Sequence, residues 1–130
     1  MNIKVRYYSR SGNTKLLAEA IAKGVNAKAI AIDEKDAIIN DKTDVLFIGG
    51  ALYAYGLDKK LKEYISNLSK NNIEKAVVFS TSWVSKHSID LLKKGLKSKG
   101  IDVIDEYIYY KNTPTLTELK EALEKAKELI

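Results

Sequence analysis

Apolar and polar positions along the chain change period repeatedly, from two to about 3.6 and back, and that change sets the expected architecture. Residues 3–8, IKVRYY, read as a strand. From Asn13 onward Leu16, Leu17, Ala20 and Ile21 recur at helical spacing, with Gly24 placed to cap the end. AKAIAID, residues 27–33, is a short second strand, and the polar EKDAIINDK after it has room for a brief helix or a loop. DVLFIGG, residues 44–50, is almost continuously apolar, as a strand covered on both faces is. Leu57, Leu61, Ile65 and Leu68 then mark a helix that Asp58 caps near its start. KAVVFST, residues 75–81, is the fourth strand; Ile89, Leu92 and Leu96 mark the next helix, and Gly100 is placed to end it. IDVIDEYIYY, residues 101–110, supplies a fifth strand. Thr115 and Glu118 fit a capping box for a last helix carrying Leu116, Leu119, Leu123 and Ala126 inward. The single Pro114 falls between that strand and that helix, where it interrupts nothing.

Five strands alternating with four or five helices predict an α/β fold, a doubly wound five-stranded parallel sheet with helices on both faces. No repeat or linker interrupts the alternation, so residues 1–130 read as one domain. In such sheets ligands bind beyond the carboxyl ends of the strands, near the point where strand order reverses. The loops that matter therefore follow strands one, three and four: SRSGNT, GGALYAYG and STSWVSKHS.

Composition narrows the chemistry. At 130 residues, 45% hydrophobic and 30% charged, the chain can bury a core without metal or disulfide support. With no cysteine, a disulfide framework, a zinc-thiolate site and a cysteine nucleophile are excluded. Lys4 and Arg6 interrupt any apolar stretch near the start, so neither a secretory signal nor a membrane span is read there, and a cytoplasmic protein is the expectation. The net charge of +5 comes from lysines dispersed over helix faces, not from the concentrated basic strip that nucleic acid demands. Neither nucleic acid, membrane nor metal is expected as a partner.

In the first loop Ser9, Ser11, Asn13 and Thr14 offer hydrogen-bonding side chains, and Gly12 lets the backbone approach a ligand without a Cβ in the way. The helix beginning near Asn13 adds free amides and the positive end of its dipole. Together they suit a terminal phosphate. The plainer use of Ser and Asn is to cap the helix and shape the turn, yet a cap needs one such residue and this loop has four. There is no Gly-Lys-Ser/Thr ending of a nucleotide-triphosphate loop and no G-x-G-x-x-G dinucleotide fingerprint. A phospho-acceptor domain would need acids at the ends of strands one and three, where Tyr8-Ser9 and Gly49-Gly50 stand.

The run VRYYSRSGNTKLLAEAI resembles the phosphate-binding signature of flavodoxins, with Tyr7, Ser9, Gly12, Thr14, Ala18 and Ile21 at its spacing. The resemblance extends over essentially the whole chain and implies strand order 2-1-3-4-5 and non-covalent FMN. It implies that Ser9, Arg10, Ser11, Gly12, Asn13 and Thr14 wrap the FMN phosphate. Ala51, Leu52, Tyr53, Tyr55 and Gly56 of the second loop, and Thr81, Ser82 and Trp83 of the third, would then hold the ring system. Tyr53 or Tyr55 and Trp83 are the stacking candidates, since aromatic side chains facing across a cleft can sandwich a flat heterocycle; the plainer alternative is that they are half-buried surface anchors.

Two departures accompany the resemblance. Arg6 stands where the signature keeps an apolar residue, and a buried guanidinium needs a partner, here expected to be an acid on a neighbouring strand or loop. The runs Gly49–Leu57 and Ser80–Ser88 contain no acid, and Lys86 and His87 add positive charge potential, so a less negative lower redox couple is expected than in acid-rimmed flavodoxins. The function expected is electron transfer between redox partner proteins, with no acid–base catalytic residue. Alternatives are a small FMN-dependent oxidoreductase of the quinone reductase or protoporphyrinogen oxidase kind, a flavin-free binding or regulatory module, and a phosphate- or nucleotide-binding protein without redox function.

Overall fold

The computed structural model describes residues 1–53, 56–83 and 85–130. Its elements run β1 (Ile3–Tyr7), α1 (Asn13–Gly24), β2 (Ala29–Ala31), β3 (Thr43–Gly50), α2 (Lys59–Ser66), β4 (Ile73–Thr81), α3 (His87–Ser98), β5 (Val103–Tyr110) and α4 (Leu116–Glu128). Short 3-10 turns at Lys35–Ala37 and Lys70–Asn72 lie between them. All strand pairs are parallel and the order is β2-β1-β3-β4-β5. The alternation read from the sequence and the strand order implied by the resemblance are both present.

The sheet divides the core in two. On one face Val5, Phe47 and Phe79 pack against Leu17, Ala18 and Ile21 of α1 and Ala122 and Ala126 of α4. On the other, Leu46, Ile48 and Val78 pack against Leu61 and Ile65 of α2 and Leu92 and Leu96 of α3. The three inner strands are covered on both sides, which explains why β3 reads as a continuous apolar run. Parallel pairing brings the carboxyl ends of β1, β3 and β4 to one edge, with Tyr7 beside Gly49 and Gly49 beside Phe79.

Helix ends follow their local chemistry. Asp58 caps α2 by accepting from the Lys60 amide at 2.8 Å. Thr115 and Glu118 form the expected capping box on α4. Gly100 follows α3 with φ 77°. Two expectations are corrected. Gly24 is the last residue of α1 and not its left-handed cap; Asn26 takes the positive φ of 55°. The reason for glycine at 24 is packing, because a Cβ there would run into the Leu123 carbonyl of α4. Leu116 does not face inward: it opens α4 and is 80% exposed, while Ala126 is buried as expected and Ala122 joins it in the buried stripe.

Arg6 also has a different partner from the acid expected. It is 4% exposed, on the α2 face of β1. Its Nε donates to the Ala37 carbonyl at 2.9 Å and its guanidinium reaches the Val5 carbonyl at 3.1 Å. The Tyr64 hydroxyl donates to the same Ala37 oxygen. One carbonyl of the 3-10 turn after β2 and one of β1 thus solvate the charge.

Candidate functional site

The first loop is built around Gly12, which is the N-cap of α1 and takes φ 95°, a left-handed conformation that strains any residue with a Cβ. A Cβ at this position would meet no atom within 4 Å, so the loop opens toward solvent there. The Gly12 amide donates to Ser9 Oγ at 3.0 Å, and the Asn13 amide reaches Ser11 Oγ at 3.4 Å. No side chain caps α1 from its N-cap position, and its first turn carries no acid. The amino end of α1 therefore keeps its partial positive charge facing the loop. Ser9, Arg10, Ser11 and Gly12 line a cleft of about 490 Å³, together with Lys15 and, from the turn after β2, Asp33 and Glu34.

Two long-range contacts tie this loop to its neighbours. Thr14 is buried, and its hydroxyl lies 2.7 Å from that of Thr81 at the end of β4. Arg10 turns toward the loop after β3: its Nε donates to Asp58 Oδ2 at 3.1 Å, its terminal nitrogen pairs with the same oxygen, and its guanidinium sits 3.8 Å from the Tyr53 ring centroid. Asp58 thus splits its carboxylate, one oxygen capping α2 and the other holding Arg10. Burial pushes the Tyr53 phenol up, while the Arg10 charge pulls the other way.

The second loop is organised by a mutual pair of backbone bonds, Tyr53 N–H to Gly56 O at 2.8 Å and Gly56 N–H to Tyr53 O at 3.0 Å, with Gly56 at φ 103°. Ala51 and Leu52 lead into it, half-buried. Tyr55 lies outside the described residues. In the third loop Ser82 is 4% exposed, its carbonyl accepts from the Tyr109 hydroxyl at 2.7 Å, and its own hydroxyl has no partner among the described residues. A buried hydroxyl without a partner costs roughly 1–3 kcal/mol, and such groups concentrate at binding sites. Trp83 follows it, 70% exposed.

A family model described as Flavodoxin domain matches residues 4–107. The chain belongs to the flavodoxin domain family. It is 28% identical over 136 residues to a protein of Methanocaldococcus jannaschii described as uncharacterized, covering 91% of this chain and 90% of that one. Oxidised flavodoxin 1 of Bacillus cereus superposes with TM-score 0.79 at 20% identity, over 98% of this chain and 96% of its own. A flavodoxin from the domain Archaea gives 0.77 at 24%, over 99% and 96%. The flavodiiron core of Flv1 from Synechocystis gives 0.80 at 25%; the match covers 98% of this chain but only 34% of that larger one.

In this flavodoxin domain the described site residues read from the sequence gather on one edge, on three adjoining loops and the ends of α1 and β4 that flank them. Three participants were not among them. Asp58 had been read only as a cap. Thr113, before α4, donates to Asn13 Oδ1 at 2.9 Å across 100 residues of sequence. Tyr109 of β5 holds the Ser82 carbonyl. For Thr113 and Tyr109 no local pattern gave a signal, because each acts only through tertiary proximity.

Proposed function

We propose that this edge binds FMN non-covalently and that the chain carries electrons between protein partners. The observation that carries the reading is the amino end of α1: an uncapped helix terminus without an acid in its first turn, behind a left-handed glycine and among Ser9, Ser11 and Asn13. That donor set fits a phosphate monoester dianion. The Ser82 hydroxyl, without a partner among the described residues, supplies a second polar group on the same edge for a ligand. Flavin, when bound, supplies the one- or two-electron chemistry, and the protein supplies binding, orientation and potential.

Arg10 takes a particular role in this reading. With its guanidinium committed to Asp58 and Tyr53, the phosphate falls to backbone amides and hydroxyls, while Arg10 fixes the second loop against the first. Trp83, exposed beside Ser82, is the side chain free to cover a flat ring. The Arg10–Asp58 pair is neutral overall, so Asp58 adds no net negative charge beside the second loop, in keeping with the expectation of a less negative lower couple.

The direct test is a fluorescence titration. Flavin emission should quench on adding the protein to micromolar FMN, and the complex should be yellow. Ser11→Ala should weaken FMN and leave riboflavin affinity unchanged, and Trp83→Ala should shift the visible spectrum of the complex. Absence of quenching at micromolar FMN would remove this reading.

A further inference from the structure

A predominantly apolar depression lies away from the loop edge just described, between α2 and α3. It is a groove of about 400 Å³ whose floor is Leu57, Ile65, Leu91 and Gly95, continuing at one end to Gly56. Its rim is basic: Lys62 comes from α2, and Lys94 and Lys99 from α3 and its end. Lys97 extends the same ridge on the adjoining surface. None of these four lysines forms an ion pair among the described residues.

Gly95 is the informative residue. It is the ninth residue of a twelve-residue helix, inside whose span glycine costs up to about 1 kcal/mol relative to alanine. Close packing does not demand it, because a Cβ at 95 would touch Ile65 only at 3.4 Å, ordinary contact distance. At Gly24, by contrast, a Cβ has no room. What glycine at 95 does is leave the groove open.

We propose that this groove docks an acidic amphipathic segment of a partner protein, one large apolar side chain seated over Gly95 and carboxylates meeting Lys62, Lys94 and Lys99. The apolar floor distinguishes this partner from nucleic acid, which would take the lysines and leave the floor uncovered. A second copy of the chain, itself at +5, is a poor electrostatic match. Gly56 belongs both to the groove and to the loop paired through Tyr53, so a segment seated here lies beside the proposed flavin site, and on that reading the groove is where an electron partner approaches.

The test is an amide NMR titration of the full chain with a synthetic helical peptide carrying glutamates around a central Leu-Phe pair. Shifts centred on Gly56, Ile65, Leu91, Gly95 and Ser98 are expected, with at least tenfold weaker binding in Lys62→Glu/Lys94→Glu and in Gly95→Leu. The charge variant keeps the test valid if Gly95→Leu perturbs the helix. The proposal is overturned if the groove signals stay in place. It is equally overturned if an oligonucleotide or phosphatidylserine vesicles shift them more strongly than the peptide, or if the chain self-associates through this face. FMN titrations of the same variants separate the two readings: they should bind FMN as the parent does, whatever the peptide result.

Discussion

Arg6 shows how far a single position can be read from sequence. Its charge in a central strand was visible as an anomaly, but its partners, a carbonyl of the turn after β2 and the oxygen of its own neighbour Val5, were not. A carbonyl has no sequence signature, since every residue carries one. Arg6→Met keeps much of the volume and leaves the Ala37 carbonyl with Tyr64 alone, so it should cost about 1–3 kcal/mol, read as a lower urea midpoint with unchanged slope. Tyr110 makes a residue-scale prediction in pH. Burial first, and then the Glu121 carboxylate beside its hydroxyl, push its phenol up to about 12. The unfolded chain releases that proton near 10. The folded state therefore holds the proton longer, and the stability this gives is complete below pH 10 and lost as pH rises toward 12. An alkaline absorbance titration should show a component near pH 12 that disappears in Tyr110→Phe, while the other buried tyrosines keep their own raised titrations.

Elements were legible where a period of 2 or 3.6 persisted, and their ends were legible where a capping residue acts within three positions, as Asp58, Thr115 and Glu118 do. Contacts between elements were not. Gly24 and Gly95 look alike in sequence, each a glycine on an amphipathic helix, and only the packing of α1 on α4 and of α2 on α3 distinguishes them. The same substitution should therefore have opposite signs. Gly24→Ala forces α1 away from the Leu123 carbonyl and should destabilise by about 1–3 kcal/mol. Gly95→Ala meets open space and ordinary contact, and should stabilise by about 0.5–1 kcal/mol through helix propensity. Urea unfolding of the two variants side by side decides the matter; equal signs would mean that packing against Leu123 is not what requires glycine at 24.

At the scale of the molecule, the candidate site is an assembly of distant pieces. Ser9, Ser11, Asn13 and Thr14 announce an anion cradle locally, but Thr14 meets Thr81 across 67 residues and Arg10 meets Asp58 across 48, separations over which a pattern in sequence carries no information. Those bonds join three loops at the edge of one cooperative sheet. A ligand that bonds to all three loops binds only the folded chain, so it should stabilise the whole domain and not one loop. At a hundred times its dissociation constant such a ligand adds about 2.7 kcal/mol. For a chain of this size that is roughly a 10 °C rise in Tm. FMN should produce this shift in calorimetry, riboflavin at the same concentration a smaller one, and Ser11→Ala should reduce the FMN shift to the riboflavin level. Thr81→Val should lower Tm in the absence of flavin as well, because it cuts the link to Thr14 that the fold itself uses. If FMN and riboflavin shift Tm equally, the amino end of α1 is not where the phosphate binds.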